Sequence, residues 1–302
     1  MHNLRAILMI IGSMAFFTVE DMFIKHLSGF MPVGQVLLAI AVASAGIFLL
    51  WALLRRDPVF VTRNWRPLIL IRASTEAVAS VSFVTALSRV EISTVGAVFQ
   101  SMPLVVTLGA AVFLKEQVGW RRWSAIFVGF IGVLMIIRPG VSGFEPQALW
   151  VLVSVVAVAT RDLMTRVMDA AVPSTVVSFQ AFLAVIPAAM LNLWLSGAAP
   201  ISPDLPLVFK TLMAILAGAA GYTLIVAGMR LGDASAVTPF RYSRLVFTMI
   251  GGVLVFHERP DLMTILGSAL IIASGLYSFL RERKRARLDR EAIAADLEAP
   301  RL

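Results

Sequence analysis

EDMFIK (residues 20–25) and RDLMTR (residues 161–166) carry one pattern twice, about 141 residues apart. Asp21 falls on Asp162 and Lys25 on Arg166. Working outward at the same offset, Pro32 meets Pro173 and Arg89 meets Arg230. After small gaps, Glu116 in FLKEQ (113–117) meets Glu258 in VFHERP (255–260), and Gly132 meets Gly275. Chance can supply one such coincidence. A series in register, at equivalent places of one unit, indicates a duplicated unit.

The composition says what that unit is made of. Of 302 residues, 59% are hydrophobic and only 15% charged, and the mean hydropathy is +0.88. Roughly a quarter of an ordinary globular chain is charged, so a soluble domain could not hide this much apolar surface. Crossing a hydrocarbon core of ~30 Å takes about 20 apolar residues in a helix. Ten windows qualify, near 4–26, 33–54, 67–88, 91–114, 121–138, 147–168, 173–195, 206–230, 233–257 and 261–280. Turn chemistry separates them, as in RRDPVF (55–60) and SGAAPISPDLP (196–206). The fold class is therefore all-α and polytopic, with five spans per repeat. Five is odd, so the second unit enters the membrane from the opposite face and the halves form an inverted repeat. Such repeats are a route to alternating access, with a central site that opens first to one side and then to the other.

Charge sets the expected orientation. The net charge is +8, but the 26 lysines and arginines concentrate in alternate loops, such as Arg55, Arg56, Arg63 and Arg66, and in the tail RERKRARLDR (281–290). Short loops rich in Lys and Arg stay cytoplasmic, so both termini are expected inside, in the inner (plasma) membrane of a bacterium. The tail reads as a retention and anionic-lipid signal, and nucleic acid is not an expected partner. The N-terminal apolar run continues to about residue 26 without a small-x-small cleavage site, so it is read as a retained first helix. The chain has no cysteine, and its three histidines (His2, His26, His257) are scattered. No metal site or cofactor is expected, and no HExxH or GxxxxGK[ST] motif points to an enzyme or to ATP-driven pumping.

At this point the chain resembles the drug/metabolite transporter superfamily, EamA type. The resemblance covers nearly the whole sequence. It rests on the paired five-helix units, the glutamates that end FLKE and FHE, and the glycine helices GFIGVLMI (129–136) and GSALIIASG (267–275). QVGWRRWSAIFVGFIGVLMIIRPG (117–140) and DASAVTPFRYSRLVF (233–247) look more narrowly like S-adenosylmethionine uptake transporters. Riboflavin importers and amino-acid or metallophore exporters share the architecture. The resemblance implies a basket of ten helices, in which the first four of each half surround a central cavity and the fifth packs outside. The expected units are residues 1–142, 143–280 and a cytoplasmic basic tail, 281–302.

Charges inside apolar spans mark the candidate site. A charged side chain at mid-helix costs about 2.5–3.5 kcal/mol on insertion scales, so such groups face a polar cavity or a partner. They are Glu20 and Asp21 on the first span, Arg72 and Glu76 on the third, Arg161 and Asp162 on the sixth, and Arg241 and Arg244 on the ninth. Arg72 and Glu76 stand at i,i+4 and can pair with each other. Asp21 and Lys25 have the same spacing. Arg161 and Asp162 are sequence neighbours expected to point apart and to need partners on other helices, as are Glu20 and Asp21. Arg241 and Arg244 share a helix face with no acid within a turn, so something off the helix must compensate. Glu76, Glu20 or Asp21 could do so across the cavity, and so could a substrate carboxylate or phosphate held by the planar guanidinium fork. The repeat equivalents of the two arginines, Gln100 and Pro103, are uncharged. A scaffold need common to both halves would be expected twice, so the asymmetry favours substrate. Tyr242 offers a hydroxyl, and Phe99, Trp150 and Phe240 offer rings to stack on a ring-bearing solute. Glu116 and Glu258 are expected to be structural caps or loop ion pairs. Pro103 and Pro239 are expected to kink their helices.

The candidate substrate-contacting set is thus Glu20, Asp21, Arg72, Glu76, Phe99, Gln100, Arg161, Asp162, Arg241, Tyr242 and Arg244. The expected function is a secondary transporter of a small polar metabolite with an anionic or zwitterionic group. A structural or sensory membrane protein without a polar cavity is the alternative from another class. Subunit number is open, a homodimer being one admissible assembly.

Overall fold

The computed structural model describes the backbone at residues 2–116, 118–140, 144–169, 171–231 and 237–298, and the side chains at 4–281 and 284 within those ranges, except 230. Eleven α-helices run through them. They are α1 (His2–Ser28), α2 (Val33–Leu54), α3 (Pro67–Arg89), α4 (Ile92–Phe99), α5 (Met102–Phe113), α6 (Trp120–Ile137), α7 (Leu149–Val167), α8 (Ser174–Ser196), α9 (Leu205–Leu231), α10 (Ser243–Phe256) and α11 (Leu262–Glu298). Among the described residues, nine helical stretches are long and apolar enough to cross a membrane, one of them being α4 and α5 together (Ile92–Phe113). The chain is a polytopic helical membrane protein. The sequence match of Arg230 with Arg89, and the tail side chains other than Arg281 and Lys284, lie outside the described residues.

Two predicted spans are interrupted beside Pro103 and Pro239, where kinks were expected. The span expected at 91–114 breaks between α4 and α5 at Gln100 and Ser101. Pro103 cannot donate to the carbonyl four residues back, and its ring crowds that turn. The span expected at 233–257 is not one α-helix: Thr238–Tyr242 forms a 3₁₀ turn before α10 begins, and residues 232–236 lie outside the described residues. Pro239 stands in the first positions of that turn, where a missing N–H is tolerated. At about 1.5 Å per residue, the 14-residue α10 is only ~21 Å long, too short to cross alone.

The packing is symmetric in pattern. α1 lies along α9 while α3 lies along α7, and α2 pairs with α8 as α6 does with α11. The α5–α7 contact is answered by α1–α10. Exchanging the halves swaps α1–α9 with α3–α7 and α5–α7 with α1–α10, and maps α2–α8 and α6–α11 onto themselves. α6 and α11 cross closely: a Cβ built on Gly132 or on Gly267 would stand 2.6 Å from the other residue's carbonyl oxygen. Only glycine permits that approach. Large apolar side chains such as Phe113, Phe127 and Leu254 are left exposed on outward faces, as a lipid-facing surface requires.

Candidate substrate cavity

α5 and α10 end alike. Lys115 and His257 take the left-handed conformation (φ 54° and 55°). The next N–H reaches back six residues, Glu116 to the Ala110 carbonyl (3.2 Å) and Glu258 to the Gly252 carbonyl (2.9 Å). The closure is one residue wider than a Schellman motif, whose bond reaches back five, and it is made twice without glycine. It turns each glutamate back toward the bundle. Glu258 accepts from the Ile92 N–H (2.7 Å), the Ser93 N–H (3.1 Å) and the Ser93 hydroxyl (2.8 Å). It therefore caps α4 from the other half of the chain, the structural role expected of it. Lys25 adds an ion pair at 3.7 Å and donates to the Leu87 and Val90 carbonyls. The equivalent pair, Arg166 with Glu116, stands at 3.6 Å with both side chains about half exposed. α4 and α5 span 22 residues, about 33 Å of helix at 1.5 Å per residue. The Glu258 and Glu116 corners therefore sit at opposite ends of the bundle.

Between those corners lies a cavity of about 910 Å³ lined from both halves. Ligand sites of ~300–1,000 Å³ enclose drug-sized molecules. Ten of the eleven predicted residues are on its wall. Arg72 is the exception: it sits behind Glu76, at 3.7 Å, and donates to the Thr165 hydroxyl (3.3 Å) and the Val177 carbonyl (3.4 Å).

Three of the four predicted acids are already engaged. Arg161 donates from Nη1 to both Glu76 oxygens (3.0 Å each), and from Nε and Nη2 to Asp162 Oδ1 (2.9 and 2.8 Å). The expectation that Arg161 and Asp162 point apart is thereby corrected. The long arginine stem lets the fork reach back to its sequence neighbour while its other nitrogen crosses from α7 to α3. Asp21 accepts from Arg244 Nη2 at 2.6 Å, so the i,i+4 pairing of Asp21 with Lys25 does not form. Phe17, Phe83 and Phe99 surround that guanidinium at 5.6, 5.8 and 5.5 Å to the ring centroids. The rings come from α1, α3 and α4, and cation–π attraction strengthens where water is excluded. Phe99 thus packs against Arg244, while Trp150 and Phe240 are off the cavity wall.

Two opposite charges on the wall stay unengaged. Arg241 receives a hydrogen bond only at its backbone: Gln100 Nε2 donates to its carbonyl at 3.2 Å. That bond joins the broken α4–α5 span to the 3₁₀ turn at repeat-equivalent positions. Among the described residues the Arg241 guanidinium has no ion pair and no hydrogen bond, and neither has the Glu20 carboxylate. Tyr242 lines the cavity with its hydroxyl against Gly275. Sequence reasoning missed Phe17 and Phe83, and also Tyr222, whose hydroxyl meets that of Ser178 at 3.2 Å. Phe17 stands one turn before Asp21 on α1, a spacing that could have singled it out.

A cavity lined from two helical units, with charged groups on its wall, is what a solute carrier needs, and comparison with known proteins agrees. The EamA-like transporter family matches residues 4–138 and again 146–280. The chain belongs to this family. As an EamA-like transporter it moves a small molecule through a membrane and is not an enzyme. It is 27% identical over 211 residues to the S-adenosylmethionine uptake transporter of Rickettsia bellii (67% of this chain, 69% of that protein). It is 30% identical to the riboflavin transporter of Rhizobium johnstonii (74% and 72%). It is 25% identical to the pseudopaline exporter CntI of Pseudomonas aeruginosa (85% and 90%). A solved crystal structure shares the fold of this transporter at TM-score 0.59 and 18% identity, over 92% of this chain and 98% of that one.

Proposed function

We propose that this EamA-like transporter carries a small polar metabolite with an anionic or zwitterionic group, S-adenosylmethionine-like or amino-acid-like. It would do so by alternating access across the bacterial inner membrane, with both termini cytoplasmic. The observation that carries the reading is the unpaired guanidinium of Arg241 on the wall of a 910 Å³ cavity. A desolvated arginine without an acid is costly unless an anion visits it, and its fork suits a carboxylate or phosphate. The relatives named for S-adenosylmethionine uptake support the choice of solute. The reciprocal packing of α1–α9 with α3–α7 supports two inverted units, residues 1–142 and 143–280, ahead of a cytoplasmic tail.

Uptake of labelled S-adenosylmethionine and of a panel of amino acids into proteoliposomes tests the reading. Arg241→Gln is expected to lower transport about 10- to 100-fold, the scale of a lost charge-assisted hydrogen bond of about 1.5–3 kcal/mol. Undiminished flux in that variant refutes the role of Arg241.

A further inference from the structure

The wall of the cavity carries four acids (Glu20, Asp21, Glu76, Asp162) and four arginines (Arg161, Arg166, Arg241, Arg244). Six of these eight pair with protein groups: Asp21 with Arg244, Glu76 and Asp162 with Arg161, and Arg166 with Glu116. The remaining two are Arg241 and Glu20, one of each sign. A scaffold that only needed neutrality would bring them together, as it brings the others together. Both are left facing the cavity.

The setting of Glu20 explains why it stays free. Its repeat equivalent is Arg161, which finds Glu76 on the adjacent helix α3. At the matching place beside Glu20, on α9, the chain has Ala217 and Gly218. A Cβ on Gly218 would lie 2.6 Å from Glu20 Oε1 and 3.0 Å from Oε2. The glycine therefore makes room for the carboxylate and supplies no partner. Its neighbour Asp21 is committed to Arg244. A carboxylate held this way recognises a positive group, by hydrogen bonds to an ammonium or by Coulomb attraction to a sulfonium.

We propose that Glu20 is the subsite for a positive group of the solute, so that the transported molecule is a zwitterion whose anionic end faces Arg241 and whose ammonium or sulfonium faces Glu20. This rests on the reading of Arg241 as the anion anchor and narrows it from anionic or zwitterionic solutes to zwitterions alone. A simple carboxylate or phosphate ester would leave Glu20 unpartnered in the loaded cavity, with the desolvation cost that implies. A neutral solute would leave both groups unpartnered.

Thermal shift on the purified full-length protein, with probes that differ in charge, tests the subsite. S-adenosylmethionine and methionine carry both signs. Decarboxylated S-adenosylmethionine lacks the anion, and γ-(methylthio)butyrate lacks the ammonium of methionine. Wild-type protein is expected to bind methionine at least about tenfold more tightly than γ-(methylthio)butyrate, tenfold being the scale of one charged contact. Glu20→Gln should abolish that preference and leave the anion-only probe unchanged. Arg241→Gln should weaken methionine and γ-(methylthio)butyrate alike and spare decarboxylated S-adenosylmethionine. Gly218→Ala, which keeps Glu20 but displaces its carboxylate, should lower affinity for every positive probe and serves if Glu20→Gln does not fold. The proposal is overturned if Glu20→Gln keeps the preference for methionine, the result expected of a carboxyl that is merely protonated. It is overturned too if no positively charged probe stabilises the wild type. Failure of the anion reading looks different: Arg241→Gln would leave methionine binding intact while the Glu20 comparison still gave its own answer.

Discussion

Compare the two sides of the cavity at residues 161 and 20. On the α3–α7 side, Arg161 closes a triad with Glu76 and Asp162 and satisfies itself within the protein. On the α1–α9 side, the equivalent position holds Glu20, facing Gly218, with Arg241 likewise unengaged on the same wall. Two copies of one unit have parted in charge while keeping their packing. Helix-to-helix contacts constrain both halves, whereas groups that face the cavity are free to diverge. The same contrast repeats at the ends. Glu258 is buried and caps α4, while Glu116 is half exposed and pairs with Arg166.

The largest test of this contrast removes the centre of the triad. Arg161→Leu leaves Glu76 and Asp162 without their main counterion, and because the triad is only partly buried the cost is up to about 3 kcal/mol, the low end for a buried pair. Denaturant unfolding in mild detergent should register it, and a loss below ~1 kcal/mol would mean that water already neutralises the triad. Next is Glu258→Ala, which strips the Ile92 and Ser93 N–H groups of their acceptor and should cost about 2–3 kcal/mol, with hydrogen exchange rising first at the start of α4. Glu20→Gln, by contrast, breaks no protein contact. Its stability should stay within about 0.5 kcal/mol of wild type, or rise, even as solute selectivity changes. Glu116→Gln should cost about 0.5 kcal/mol or less, because exposed ion pairs are worth little.

The smallest effect concerns pH. Asp261 lies just outside the last span, and a hydrogen bond from Arg138, helped by the Thr264 N–H, brings its carboxyl down from 3.8 to about 2. A depressed carboxyl contributes stability above its unfolded value and loses it as pH falls toward its folded value. Stability should therefore decline between about pH 4 and pH 2, and Asp261→Asn should flatten that decline. Because Asp261 is half exposed, the change is a modest shift in melting temperature, read by a pH-resolved thermal scan.

Apolar runs and the doubled EDMFIK and RDLMTR pattern were enough, as sequence, to determine a helical membrane protein built from two similar units, because burying a helix in lipid takes about 20 apolar residues wherever they occur. The same rule made eight intramembrane charges stand out, and seven of them line the cavity. Which of them are spent on each other was decided only in three dimensions. Arg161 binds its own neighbour through a flexible stem that helical spacing does not describe. Arg244 finds Asp21 223 residues away, inside rings from three different helices. The breaks at Gln100 and at Thr238–Tyr242 were signalled by Pro103 and Pro239, but not that these places would meet through the Gln100–Arg241 bond. Hydrophobicity is a property of the residue and can be read along a line. Pairing depends on distance and exposure, which exist only once the helices have packed.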